Sequence, residues 1–340
     1  MTFEPFLTAA IDARASLNNG PHDTGYRLFN GFTEGAPALA IDVYGQTLVI
    51  NDHSESSTGD EATIKRAAEL VRAQLPWLKA GLWKVRNAKD EGLRNGSVLF
   101  GTEKELARRV VEDGVTYALD LRLNRDSSLY LDTRHLRSWA KRSLANKRVL
   151  NTFSYTGSLG IAAKAGGAGQ VMHTDLNNSF LTVAKDSYSM NGWPIAKRDF
   201  RVGDFFDVVG QLKRDDELFD CVFVDPPFFS VTPQGRVDLA NDMDRVLNKV
   251  RPLIAHNGYL VVVNNGLFVS GADLMATLEK LCVGGYMTIE EKVGVPEDFL
   301  GTPATRHGSL HVDPAPFPHS TKMAILSVRR KDEKSVNSAD

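Results

Sequence analysis

Five apolar runs in this sequence end on residues that can bind or react. "RVLNT" leads into Phe153, Ser154, Tyr155, Thr156 and Gly157, and "QVMHT" ends at Asp175. "DFRV" precedes Gly203 and Asp204, and "FDCVFV" runs into Asp225, Pro226, Pro227, Phe228 and Phe229. "GYLVVV" ends in Asn264, Asn265 and Gly266. Carboxylates accept hydrogen bonds from ribose hydroxyls and base amino groups. A glycine turn ahead of a helix brings a ligand close to main-chain N–H groups. Each residue alone also has a structural reading, as a turn, a helix cap or a strand stop. Five coincident strand ends along one edge favour a site.

The turn at 153–157 lacks the Gly-x-Gly pair that admits a pyrophosphate, and it lacks a P-loop lysine. Asp175 follows Gly157 by 18 residues, close to the ~20 between a glycine turn and a ribose-binding acid. Asp175 is thus placed for a ribose and Asp204 for an adenine amino group. A ligand with adenosine but no diphosphate fits, and S-adenosylmethionine is such a ligand. A nicotinamide oxidoreductase would need the missing pyrophosphate loop.

These ends share a rim only if the runs are strands of one sheet. The pattern places strands at 148–153, 170–175, 198–202, 219–225 and 258–264, with two more near 286–293 and 321–329. Helices are expected to begin near Ser158, Asn178, Asp238 and Gly271. Such alternation predicts an α/β, doubly wound, mainly parallel sheet of seven strands, the last forming an antiparallel hairpin. Ligands bind such sheets beyond the carboxyl ends of the strands. Ahead of it, a helical stripe covers 3–17, strands flank Tyr44-Gly45, and a helix covers about 58–75. Further strands follow, including a hairpin turning at Asp113-Gly114. The expected organisation is an N-terminal helical extension (1–24), a smaller β-rich α+β domain (25–127) with a role in substrate recognition, a catalytic domain (128–330) and a polar tail (331–340).

The bulk numbers exclude other classes. The 340 residues are 42% hydrophobic and 24% charged, ordinary for a globular protein. No signal peptide or membrane-length apolar run is present, so a cytoplasmic protein without a membrane partner is expected. Two cysteines, Cys221 and Cys282, exclude a disulfide framework and a cysteine-rich zinc site. A formal net charge of −2 gives no global attraction to nucleic acid. Local charge does exist: Arg134, His135, Arg137, Lys141, Arg142, Lys147 and Arg148 occur without an intervening acid, and Arg86, Lys89 and Arg94 lie near Trp83. Either set could contact phosphates or form a solvated face. "AGGAGQ" precedes a strand and reads as a helix cap and turn. His307, His311, His319 and Asp313 share a loop with nothing to fix a metal geometry, and no metal is expected. His173 reads as a satisfied core histidine. A homodimer is compatible with the sequence and not required by it.

Taken in order, "YLDTR" (Tyr130 to Arg134), "FSYTG", Asp175, Gly203-Asp204 and "DPPFF" resemble large-subunit ribosomal RNA methyltransferases. The resemblance spans roughly 25–330 and includes "YRLFNGFTEGAPALAIDVYG". It implies a class I methyltransferase, Rossmann-like sheet, S-adenosylmethionine as cofactor and RNA, ribosomal in this group, as partner. Many members carry a PUA-like RNA-binding domain ahead of this region. Too few residues precede Tyr26 for one, so the expected organisation lacks it. The resemblance gives Phe153 to Gly157 the methionine part of the cofactor, Asp175 the ribose and Asp204 the adenine. Asp132 and Arg134 would help close the pocket, and Asp225 would sit beside the methyl group and the target base.

The family includes cytosine-C5 and guanine-N7 enzymes. A C5 target needs a cysteine nucleophile, which similar C5 enzymes carry after the fifth strand. Here that position reads "VNNG", closer to the guanine-methylating relatives. Cys221 and Cys282 are expected to be packing residues. The expected target is therefore a base nitrogen, with guanine ahead of adenine. Asp225 and Pro226 would accept the hydrogens of an exocyclic amine, and Phe228 or Phe229 would stack on the base. Asn264 and Asn265 would face the substrate. Rival readings are a methyltransferase for a small molecule or protein, a C5 enzyme, and a non-catalytic RNA-binding relative.

Overall fold

The computed structural model describes residues 2–308 and 312–336. Two compact units divide them: residues up to Asp132 with Pro296 to Gly308, and Thr133 to Val295 with Val312 onward.

The first unit is built on a five-stranded sheet. Helix α1 (Glu4–Ala13) buries Leu7, Ala10 and Ile11 on one stripe. Strands β1 (Gly25–Asn30), β2 (Leu39–Tyr44), β3 (Thr47–Asp52), β4 (Ala80–Val85) and β5 (Ser97–Phe100) follow one another across the sheet. A single turn, α2 (Gly31–Glu34), separates β1 from β2. Only β3 and β4 are parallel, because the crossover helix α3 (Glu61–Gln74) joins them. The short helix α4 (Glu91–Asn95) precedes β5, and a hairpin of β6 (Arg109–Glu112) and β7 (Val115–Ala118) follows it. That hairpin turns where expected, with Asp113 at φ 52° and Gly114 at φ 74°.

The unit boundaries differ from those expected at 24, 127 and 330. Helix α1 lies in the same core as Leu28, Ile41 and Val71. Arg14 meets Glu34 through two 3.0 Å bonds, with both side chains buried. The returning segment supplies the remaining partners. The Thr305 hydroxyl donates to Glu34 at 2.6 Å, and Arg14 donates to the Asp298 carbonyl at 2.7 Å. These bonds tie the end of α1, the α2 turn and residues 298–305 to one another.

The second unit opens with α5 (Arg134–Ser143) and a seven-stranded sheet. Its strands are β8 (Arg148–Thr152), β9 (Gln170–Asp175), β10 (Phe200–Val202), β11 (Phe219–Val224), β14 (Ile254–Asn264), β15 (Met287–Val293) and β16 (Lys322–Val328). The order is β10-β9-β8-β11-β14-β16-β15, and only β16 runs antiparallel to its neighbours. The chain steps from β8 outward to β10, then returns to β11 on the other side of β8. That reversal makes the carboxyl ends of β8 and β11 the switch point of the sheet.

Helices α6 (Ser158–Ala165), α7 (Asn178–Met190), α8 (Phe205–Arg214), α9 (Met243–Val250) and α10 (Gly271–Cys282) connect the strands. Helix α8 was not expected. The helix expected near Asp238 begins at Met243, because "FFSVTPQGRVD" instead forms a hairpin of β12 (Phe229–Thr232) and β13 (Gly235–Asp238). The Asp238 carboxylate then accepts from the Ala240 and Asn241 amides, turning the chain before α9. Val222, Val224, Leu260 and Val262 are fully buried, as strands covered on both faces must be.

His173 on β9 is fully buried, 3.2 Å from the Tyr188 hydroxyl and stacked on Phe200. Burial lowers its pKa to about 3, so it is neutral. Gly160 packs directly on this ring: a Cβ there would lie 2.5 Å from His173 Cε1. Gly160→Ala is therefore expected to destabilise the second unit by about 1–3 kcal/mol, read as a lowered melting temperature. An unchanged melt would mean that the ring can give way.

Candidate functional site

The turn after β8 has an unusual backbone. Phe153 (φ 49°), Tyr155 (φ 50°) and Gly157 (φ 82°) all adopt left-handed conformations. For phenylalanine and tyrosine this costs energy that the surroundings must offset. The Ser154 amide donates to the Thr174 carbonyl at 2.9 Å, and the Gly157 amide to the Ser154 carbonyl at 2.7 Å. Phe153 stacks on Phe205 at 4.4 Å, and Tyr155 meets Phe180 edge-on at 4.6 Å. Gly157 lies so close to β9 and α7 that a Cβ would be 2.9 Å from Ala184 and 3.0 Å from His173. Within this turn the Ser154 hydroxyl is buried without a hydrogen-bond partner. Thr156 is buried beside it.

Asp175 connects the turn to the end of β9. Its carboxylate accepts from the Tyr155 amide at 2.8 Å and from the Asn177 amide at 2.9 Å. Burial raises its pKa, and these amide bonds act in the opposite direction. A carboxylate carries about four acceptor positions, and so keeps capacity for a ribose hydroxyl beside the amides of Tyr155, Asn177 and Leu176. The Gly203 amide donates to the Asp175 carbonyl at 2.9 Å, joining the end of β10 to the same rim. Asp204 caps α8 by accepting from the Phe206 amide at 2.7 Å. A cap and a base contact are compatible, because the cap occupies one lone pair.

The ends of β11 and β14 also meet. Asp225 is half-buried and Pro226 buried, while Phe228 and Phe229 are 39% and 57% exposed. The Phe228 ring lies against Gly266, where a Cβ would be 3.0 Å from it. Asn264 is fully buried; its Oδ1 accepts from the Gly266 amide at 3.0 Å, and its Nδ2 has no partner. Asn265 is exposed. Asp132 lies in the 3-10 turn Leu131–Thr133 that closes the first unit, and Arg134 opens α5 in the second.

The basic run is not one exposed surface. On α5, Arg137 falls on the inward stripe with Leu136 and Ala140, is 1% exposed, and donates to Thr133 Oγ1 at 2.8 Å. Arg148 binds Glu217 and the Leu218 carbonyl and lies over the Phe219 ring. Lys147 pairs with Asp220. In the first unit, Arg86 pairs with Asp126, and the Trp83 indole donates to Asp52. Amphipathic folding and local acids absorb these cations, which spacing alone could not show.

Cys221 lies fully buried in the middle of β11, and burial raises its thiol pKa well above the ordinary value. Cys282 ends α10, with its pKa also raised by burial. Of the loop histidines, His307 packs on Phe6, and His319 Nδ1 accepts from the Thr321 amide. His311 lies outside the described residues. Among the described residues no cluster of three or more His, Cys, Asp or Glu could hold a metal. Among them too, no helix is long and apolar enough to cross a membrane. Sequence reading missed Lys322, the first residue of β16, which is buried beside Gly266. Its neighbours became visible only with the strand order.

This sheet, with acids and a strained turn along one carboxyl edge, defines a nucleoside-binding α/β enzyme class. The model of a family described as S-adenosylmethionine-dependent methyltransferase matches residues 37–299, and the chain belongs to that family. It is 29% identical over 311 residues to YwbD of Bacillus subtilis (strain 168), named as a candidate ribosomal RNA large subunit methyltransferase; the match covers 89% of this chain and 77% of YwbD. It is 33% identical over 225 residues to "Ribosomal RNA large subunit methyltransferase I" of Aeromonas salmonicida (strain A449), covering 66% of this chain but 56% of that one. The fold matches the structure of SMU.776 complexed with SAH, with a TM-score of 0.80 at 22% identity, over 96% of this chain and 81% of that one. The sheet is therefore the class I methyltransferase, Rossmann-like arrangement.

The residues present fit the family's cofactor. The unpartnered Ser154 hydroxyl and the half-buried Asp175 carboxylate offer a donor and acceptors to a small polar nucleoside derivative, in a turn that Gly157 lets pack closely on β9 and α7. Asp175→Asn should weaken S-adenosylmethionine binding by roughly 10- to 100-fold, because it removes charge-assisted acceptors. Calorimetry showing unchanged affinity would remove Asp175 from the cofactor site.

Proposed function

We propose that this protein is an S-adenosylmethionine-dependent methyltransferase that modifies a base nitrogen in large-subunit ribosomal RNA, with guanine favoured. The observation that carries this reading is the convergence of five polar strand ends on one rim in a chain of this family. The names of the relatives support ribosomal RNA as substrate and state neither base nor atom. In this reading Phe153 to Gly157 hold the methionine part of the cofactor, Asp175 the ribose and Asp204 the adenine, with Arg134 helping to close the pocket. The bound cofactor supplies an electrophilic methyl group. The Asp225 carboxylate and Pro226 carbonyl accept hydrogens of the target amine, which leaves its lone pair free to point at the methyl carbon. Phe228 stacks on the base, and Phe229, Asn264 and Asn265 border it. Holding the two reactants in line accounts for much of the rate in such a reaction. Residues 25–127 contribute to RNA recognition, and the protein works in the cytoplasm without a metal, as a monomer or homodimer.

Two observations favour nitrogen over cytosine C5. Neither cysteine lies at the end of β14, and burial disfavours both thiolates. The double variant Cys221→Ala/Cys282→Ala should keep its transfer activity; complete loss with an intact fold would point to a covalent C5 mechanism.

Nucleoside mass spectrometry of large-subunit ribosomal RNA, from cells with and without the protein, tests the whole reading. Loss of one methylated guanine is expected. Loss of a 5-methylcytosine would move the target to C5. No change in any nucleoside would overturn the ribosomal assignment.

A further inference from the structure

Lys322 is the first residue of β16, opposite Asn264 in the β14–β16 register. It is 1% exposed. Its ammonium donates to the Gly266 carbonyl at 3.1 Å and to the Ser320 carbonyl at 2.5 Å. Among the described residues no carboxylate pairs with it, and burial lowers its pKa to about 8. Between that value and the unfolded ~10.4, the unfolded chain binds more protons. Lys322 thus opposes folding below about pH 8, and the opposition fades as pH rises toward 10. An uncompensated buried cation is a poor stabiliser, so its use must be sought in what it holds.

Of the two carbonyls it holds, that of Gly266 belongs to the turn against Phe228. Gly266 has its amide bound by Asn264 Oδ1, its carbonyl bound by Lys322 Nζ and, at 3.2 Å, by the Val269 amide, and its Cα against the Phe228 ring. Its φ is not left-handed, so glycine is needed there for close approach rather than for conformation. Beside this turn a cavity of about 270 Å³ is lined in part by Leu239, Asn264, Val269 and Leu274. The turn therefore has space to shift if a restraint is lost.

We propose that Lys322 is a positioning residue: by fixing the Gly266 carbonyl it sets the surface on which Phe228 rests, and through Phe228 the placement of the target base. The proposal rests on the reading of Phe228 as the base-stacking residue. Lys322 reaches the reaction only through the Asn264–Gly266 turn.

The test uses Lys322→Met in the full chain, which keeps side-chain length and removes the charge and its donors. Three quantities are measured: S-adenosylmethionine affinity, hydrogen–deuterium exchange, and transfer to ribosomal RNA. Positioning predicts unchanged cofactor affinity and unchanged protection of β8 and β9. It predicts faster exchange confined to 264–269 and 226–230. It also predicts a fall in kcat on the order of 10- to 100-fold, larger than any change in KM. If Lys322→Met does not fold, Lys322→Gln, which keeps one donor, is measured the same way and should show a smaller loss. Unaltered exchange in those two segments overturns the proposal, as does altered exchange with wild-type kcat. Faster exchange there, in a protein whose wild type methylates no ribosomal RNA, would support the clamp and refute the substrate reading instead.

Discussion

The amide of Tyr155 donates to the carboxylate of Asp175, and much of the cofactor rim follows from that bond. Tyr155 sits in a left-handed conformation that a tyrosine adopts only under constraint. The constraint comes from the next strand. Asp175 captures the amide, Thr174 captures Ser154, and the Asp175 carbonyl in turn receives Gly203. Three strand ends become one hydrogen-bonded edge, with the Ser154 hydroxyl left open inside it. A parallel sheet makes this geometry available, since its strands all present their carboxyl ends on the same side.

The other half of the rim is built from a different interaction. Phe228 and the Asn264–Gly266 turn lie against each other, and a buried lysine fixes the turn from beneath. The β8–β9 half thus rests on a carboxylate accepting main-chain amides, and the β11–β14 half on an ammonium donating to main-chain carbonyls. Both use an ionisable side chain, half-buried in Asp175 and buried in Lys322, to orient backbone. Both are costly in isolation and worthwhile only where position matters more than stability.

Most of the sheet was legible in the sequence. Fully buried parallel strands leave continuous apolar runs, and their polar ends mark where the sheet stops, so β8, β9, β11, β15 and β16 fall within a residue or two of expectation. Helix α8 was given no place in the expected helices, although a capping role for the residue at its start, Asp204, was among the readings of that strand end, and Asp204 does cap it. The β12–β13 hairpin was missed because "DPPFF" looked like a stop followed by a helix, while the turn at 233–235 is short and shows only in the pairing. The seven-residue basic run was over-read, since helical periodicity turns Arg137 inward and a neighbouring strand supplies Glu217 to Arg148.

The sequence by itself determined the alternation of elements, the chemical character of each strand end and the absence of a pyrophosphate loop. These are local properties, carried by hydrophobic period and by residues adjacent in the chain. Only the tertiary structure decided which ends are neighbours, because strand order is set by crossovers and not by sequence order. It brought Gly266 beside Phe228, put Lys322 opposite Asn264, and placed residues 296–308 in the first unit. Each of those depends on contacts between distant segments, which no local pattern encodes.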